Sequence, residues 1–214
     1  PPPTCTRWSA PVTAWPTTRR RRTTRLTFAD RTEALSWLFN ETRCLIACAL
    51  QNTGEKVLRR AVDLLLLTRD MAESGANNRQ YEQANLALLA AARRAGDQHA
   101  EGRAHWSLAP IYIQSGRLTE ADEHAKLATL LGLAAEDPFS ASNGPNDRGI
   151  IASIQRRFDA AEGYLNQALL AFRENNNKQS EASALCNLSR LHLDTGRTES
   201  AIQLAEQGIT ALRE

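Results

Sequence analysis

A chain of 214 residues that is 42% apolar and 23% charged can bury a substantial core, and one elongated domain is the default. Its net charge of +2 is unevenly spread: residues 1–26 hold six arginines and no acid, so the remainder is mildly acidic. No apolar run reaches the roughly 18 residues of a membrane-spanning helix. Cys5, Cys44, Cys48 and Cys186 show no disulfide framework, which leads us to expect a reducing cytoplasm.

Residues 1–27 hold five of the eight prolines, a block of threonines and the Arg19–Arg22 run. Proline removes a backbone donor and fixes φ, so an extended, largely disordered arm or linker is expected. The arginine run has two readings, a contact to nucleic acid or an acidic partner and a solvated linker, and the second is the commoner for so short a cluster. Trp8 and Trp15 are unusual in such an arm and are candidates for docking on the folded body or on a neighbouring molecule. The chain begins with Pro rather than Met and carries no signal peptide, as expected of a fragment or a processed chain.

Residues 28–53 predict one leading amphipathic helix. Asp30 is placed to cap it with Glu33 in capping-box register, and Leu35, Leu38, Leu45, Ile46 and Ala49 supply a buried stripe. Cys44 and Cys48 fall at i and i+4 on one face. With no His or further Cys nearby, they read as two small buried residues rather than a thiol pair or metal site.

From residue 54 to 214 the chain repeats. Ala104–Gly132 reads as a helix, a break at Ser115-Gly116, and a second helix carrying Ala121, Ala125 and Ala128. The turn position Gly116 recurs as Arg156 and Gly196, and the small residue of the second helix as Ala87, Ala128, Ala168 and Gly208, at spacings of 41, 40 and 40. A fixed period in this range predicts an all-α, right-handed α-solenoid of four helical hairpins, each burying its apolar face against its neighbours. Asn143-Gly144-Pro145 interrupts the first helix of the third hairpin. That helix is therefore expected to be short and to begin near Asn146, after a long, mobile loop over Asp137–Asp147.

These residues resemble the tetratricopeptide repeat family. The second hairpin supplies Leu108, Ala109, Tyr112, Gly116, Ala121 and Ala128; the third Gly149, Phe158, Ala161 and Ala168; the fourth Leu188, Ser189, Gly196, Ala201 and Gly208. A first, weaker unit gives Leu67, Gly75 and Ala87. The period exceeds the family's usual length of about 34, so the helices or loops must be longer. Ala34, Leu35, Trp37, Leu38, Glu41 and Leu45, with Leu86–Asp97, are similar to the text around the repeat arrays of actinobacterial transcription regulators of the antibiotic-regulatory, AfsR-like class. That resemblance implies a regulatory segment of secondary-metabolite control. DNA contact, and any nucleotide chemistry of an NB-ARC switch, would belong to other domains of a parent protein.

Candidate chemistry is sparse. No phosphate-cradling glycine loop and no nucleophile–base set can be read from spacing. His105 and His124 could meet within one hairpin, but nothing completes a metal set, so the four histidines read as partly exposed structural residues. We therefore expect no catalytic residue, cofactor or metal. What remains is the concave groove that the family builds from the first helix of each hairpin. Counting from the turns, its recognition residues are Arg69, Arg103, Trp106, Gln114, Asn146, Arg190 and Asp194. Trp106 with Arg69, Arg103 and Arg190 would form an aromatic anchor ringed by bidentate donors. Alternatively, Trp106 packs between helices and the arginines are solvated. Trp106/Pro110 and Cys186/Arg190 disfavour the carboxylate clamp of chaperone-type repeats. The expected partner is a protein or peptide in this groove, which makes the chain either a sensor domain of a regulator or a free-standing scaffold. Ile202, Ile209 and Leu212 on the last helix need cover, from further repeats or from a second copy.

Overall fold

In a computed structural model, residues 27–69 and 78–213 are described. The arm with Trp8, Trp15 and Arg19–Arg22, and the position of Gly75, lie outside them. The described residues form helices and turns only: α1 (Arg31–Gln51), α2 (Leu58–Leu67), α3 (Asn78–Ala95), α4 (Gln98–Gln114), α5 (Leu118–Ala134), α6 (Pro138–Ile154), α7 (Phe158–Glu174), α8 (Lys178–Asp194) and α9 (Thr198–Ala211). Consecutive helices pack on one another down the chain, an α-solenoid.

The repeat has a finer metre than 40. From α4 to α8 every helix is 17 residues long. Short turns separate them, and the central turn residue lies in the left-handed region: Gly96, Gly116, Glu136, Arg156, Asn176 and Gly196. In each turn the next N–H reaches back over the helix end. Arg117 donates to Tyr112 O, Arg157 to Ala152 O and Arg197 to His192 O, each at 2.8 Å. The extra length over a standard repeat therefore sits in the helices, each about 25 Å long.

Caps alternate along this metre. Asp97, Asp137 and Asn177 open α4, α6 and α8, each accepting from the N–H three residues on. Arg117, Arg157 and Arg197 open α5, α7 and α9 without a side-chain cap. Two of these arginines instead tie their turn to the second helix of the previous hairpin: Arg117 to Glu82 at 3.0 Å and Arg197 to Glu162 at 2.9 Å.

Three expectations are corrected. Residues 138–154 form a full helix, not a long loop followed by a short helix from Asn146. Asp137 caps it and Pro138 occupies its first turn, where a missing N–H costs nothing. Pro145 forfeits one interior hydrogen bond, a cost of about 3 kcal/mol, which is offset because most of the helix is buried between its neighbours. Second, Cys44 and Cys48 are exposed rather than buried. The stripe of α1 that packs inward is centred on Thr42, Ile46 and Ala49, with Leu35, Leu38 and Leu45 half-buried. Third, the residue of α3 equivalent to Ala128 is Leu88, buried at a strict 40-residue step, while Ala87 is only half-buried.

Candidate functional site

The groove is built by the first helices of successive hairpins. It encloses about 540 Å³ between α2, α4, α6 and α8. One end is apolar and aromatic, with Leu66, Leu67, Trp106, Pro110 and Phe139; the other is polar, with Asn143, Asn146, Asp147, Asn177, Gln179, Ser180 and Ser183. Trp106 meets the Phe139 ring edge-on, with centroids 4.6 Å apart. The Arg69 guanidinium lies 4.4 Å over the Trp106 ring. On the polar side the Asn187 amide donates to Asn146 Oδ1 at 3.1 Å, so α8 and α6 are already tied amide to amide.

The residues expected from sequence divide. Arg69, Trp106 and Asn146 line the groove together. Trp106 is only 6% exposed, so it forms the wall and presents an edge rather than a free face. Arg103 is tied up: Nε and Nη2 donate to Asp137 at 3.1 Å each, and Nη1 pairs with Asp63. Burial alone would raise the pKa of Asp137, but the hydrogen bonds from Arg103 and Ser140 and the charge of Arg103 outweigh it and hold the carboxyl below its ordinary value. Gln114 lies beside Asn78, Glu82 and Arg117, outside the groove lining. Arg190 and Asp194 are exposed on α8, also outside that lining. Phe139, Asn143, Gln179 and Ser183 were missed. Stepping 40 residues from Arg103 gives Asn143 and then Ser183, so the column through a chosen residue would have found them.

His105 and His124 do meet, Nδ1 to Nδ1 at 2.7 Å, and His105 is buried rather than partly exposed. Arg93 Nη2 lies 3.1 Å from His105 Nε2. Since a guanidinium can only donate, the neutral His105 carries its proton on Nδ1 and gives it to His124 Nδ1. Burial pushes His105 down to about 3, helped by His124 and Arg93; burial, then Arg93, pushes His124 down to about 4. Both are neutral near pH 7, and the pair staples α4 to α5. Among the described residues no three His, Cys, Asp or Glu side chains gather to hold an ion. None of the described helices is long and apolar enough to cross a membrane.

Residues 140–214 match the sequence model of the tetratricopeptide repeat family. Over those residues the stacked helices are tetratricopeptide repeats. A similar helical architecture occurs in BtubC from P. vanneervenii, whose crystal structure gives a TM-score of 0.66 at 22% identity, covering 83% of this chain and 73% of that one. At that identity the likeness speaks for the fold alone. In sequence, the repeat chain is 49% identical over 184 residues to the regulatory protein AfsR of Streptomyces griseus, and 43% identical over 189 residues to that of Streptomyces coelicolor. These alignments cover 86% and 88% of the chain but only 19% of each regulator. The chain thus spans about a fifth of the length of the relatives it matches.

Proposed function

We propose that the chain is a non-catalytic interaction and sensor domain of a cytoplasmic transcription regulator of the AfsR kind, controlling secondary metabolism. A protein or peptide partner seats in the groove between α2, α4, α6 and α8 and biases the regulator between silent and active states through its differential affinity for them. Contact with DNA is made by other domains of the parent.

The similarity to AfsR over most of the chain carries this reading, and the groove supports it by offering an aromatic wall beside a polar floor. The committed Arg103 makes a carboxylate-seeking site the poorer fit. The test is a graft: residues 28–214 replace the aligned stretch of the Streptomyces griseus regulator, and a transcriptional reporter is read. Retained control is expected; a graft that folds yet leaves the reporter unresponsive overturns the reading.

A second reading, self-association through α9, is supported by Ile202, Ile209 and Leu212, each more than half exposed. Light scattering across a concentration series tests it, and a strict monomer at high concentration removes it.

A further inference from the structure

The inner face of α1 packs through Thr42, Ile46 and Ala49. On the opposite side stand Cys44 and Cys48, both free thiols and both exposed. Free cysteine is ordinarily among the most buried residue types, and where packing does not account for it, its reactivity is what remains. Four residues apart, the two side chains lie one above the other, with Cβ atoms about 5–6 Å apart. A disulfide needs Cβ atoms about 3.5–4.5 Å apart, so the intact helix does not close one. An ion bound by two thiolates at about 2.3 Å spans a sulfur–sulfur gap of up to about 4.6 Å. Two arms on adjacent turns reach that distance.

A neighbouring group points the same way. The Asn52 side-chain amide donates to the Cys48 carbonyl at 2.7 Å and lies 3.8 Å from Cys48 Sγ. A donor at sulfur orients it, which is what outer-shell partners do at metal sites. Glu41, three residues before Cys44, puts a carboxylate on the same side of the helix. No third protein donor is already in place, so solvent completes the coordination shell.

We propose that Cys44 and Cys48 form a two-thiolate site for one soft, thiophilic divalent cation. Binding is a ligand exchange without redox change: two S–H bonds break, two metal–sulfur bonds form, and two protons leave to solvent.

The experiment titrates the reduced 214-residue chain with Cd²⁺, reading the ultraviolet thiolate-to-cadmium charge-transfer band and the number of thiols open to a disulfide reagent. The expected result is one Cd²⁺ per monomer, two of the four thiols protected, and displacement by excess Zn²⁺. Cys44→Ser and Cys48→Ser should each weaken binding by more than the roughly 10- to 100-fold that loss of an outer-shell partner costs, and Asn52→Ala by an amount within that range. Both cysteines are exposed, so circular dichroism of these variants should match the parent. Cys5→Ser and Cys186→Ser should leave the titration unchanged. A band that survives both Cys44→Ser and Cys48→Ser, one that Cys5→Ser or Cys186→Ser removes, or one Cd²⁺ shared between two chains overturns the proposal.

Discussion

Two seams between successive hairpins hold the same repeat together by different chemistry. Where α7 meets α8, Leu165, Leu169 and Phe172 pack with Leu185, Leu188 and Leu191 as a compact apolar cluster. Where α5 meets α6, the buried side is Ala121, Ala125, Ala128 and Gly132 against Ser140, Asn143, Gly144 and Asp147. There the backbones come close. A Cβ on Gly132 would sit 2.5 Å from Ala141 N and one on Gly144 2.5 Å from Ala125 O. The lesson is that a superhelical step can be kept by apolar area or by close backbone approach.

The largest expected effect falls on the apolar seam. Phe172→Ala removes a ring that is 2% exposed and should cost about 3–5 kcal/mol in denaturant unfolding. A loss below 1 kcal/mol would mean that this seam does not depend on area. Gly144→Ala probes the other seam. Its new methyl meets backbone, so a loss of about 1–3 kcal/mol is expected, together with displacement of α6. An unchanged midpoint would show that the close approach is not a constraint.

The histidine pair sharpens the contrast through pH. Both folded pKa values, about 3 and about 4, lie below the ordinary 6.5, so the unfolded chain binds protons first. Stability is full above about 6.5 and falls as pH drops toward 4, by up to about 1.4 kcal/mol per pH unit for each histidine. Leu185 and Leu204 stand at the equivalent places in the last hairpin, and the double replacement His105→Leu with His124→Leu should flatten that slope. A slope unchanged in this variant places the acid sensitivity elsewhere.

The smallest effect concerns the turns. Arg156 holds a φ of 59°, a conformation that suits glycine, so Arg156→Gly should raise stability by about 1 kcal/mol. A loss of similar size would show that the guanidinium 5.8 Å over Phe158 matters more than the backbone.

Much of this was legible beforehand. The recurrence of Gly116, Arg156 and Gly196 marks three turns, and the small residues of α5, α7 and α9 mark the contacts. The intervening turns were not seen, because Gly96, Glu136 and Asn176 share a backbone conformation but no side-chain chemistry. Pro145 misled for a physical reason: local rules price one lost hydrogen bond, while tertiary burial of α6 outweighs it. Of the groove residues, spacing found Arg69, Trp106 and Asn146. It could not reveal that Asp63 and Asp137, distant in sequence, would occupy Arg103.

Whether recognition takes place in the groove over α6 is decided by two matched substitutions in the grafted regulator. Ser183→Arg places a bulky cation at an exposed position of the groove lining; Leu170→Arg places the same group at an exposed position of α7, outside it. Ser183→Arg should abolish the reporter response while Leu170→Arg leaves it intact. Equal responses from the two variants, or loss with Leu170→Arg alone, would contradict recognition there.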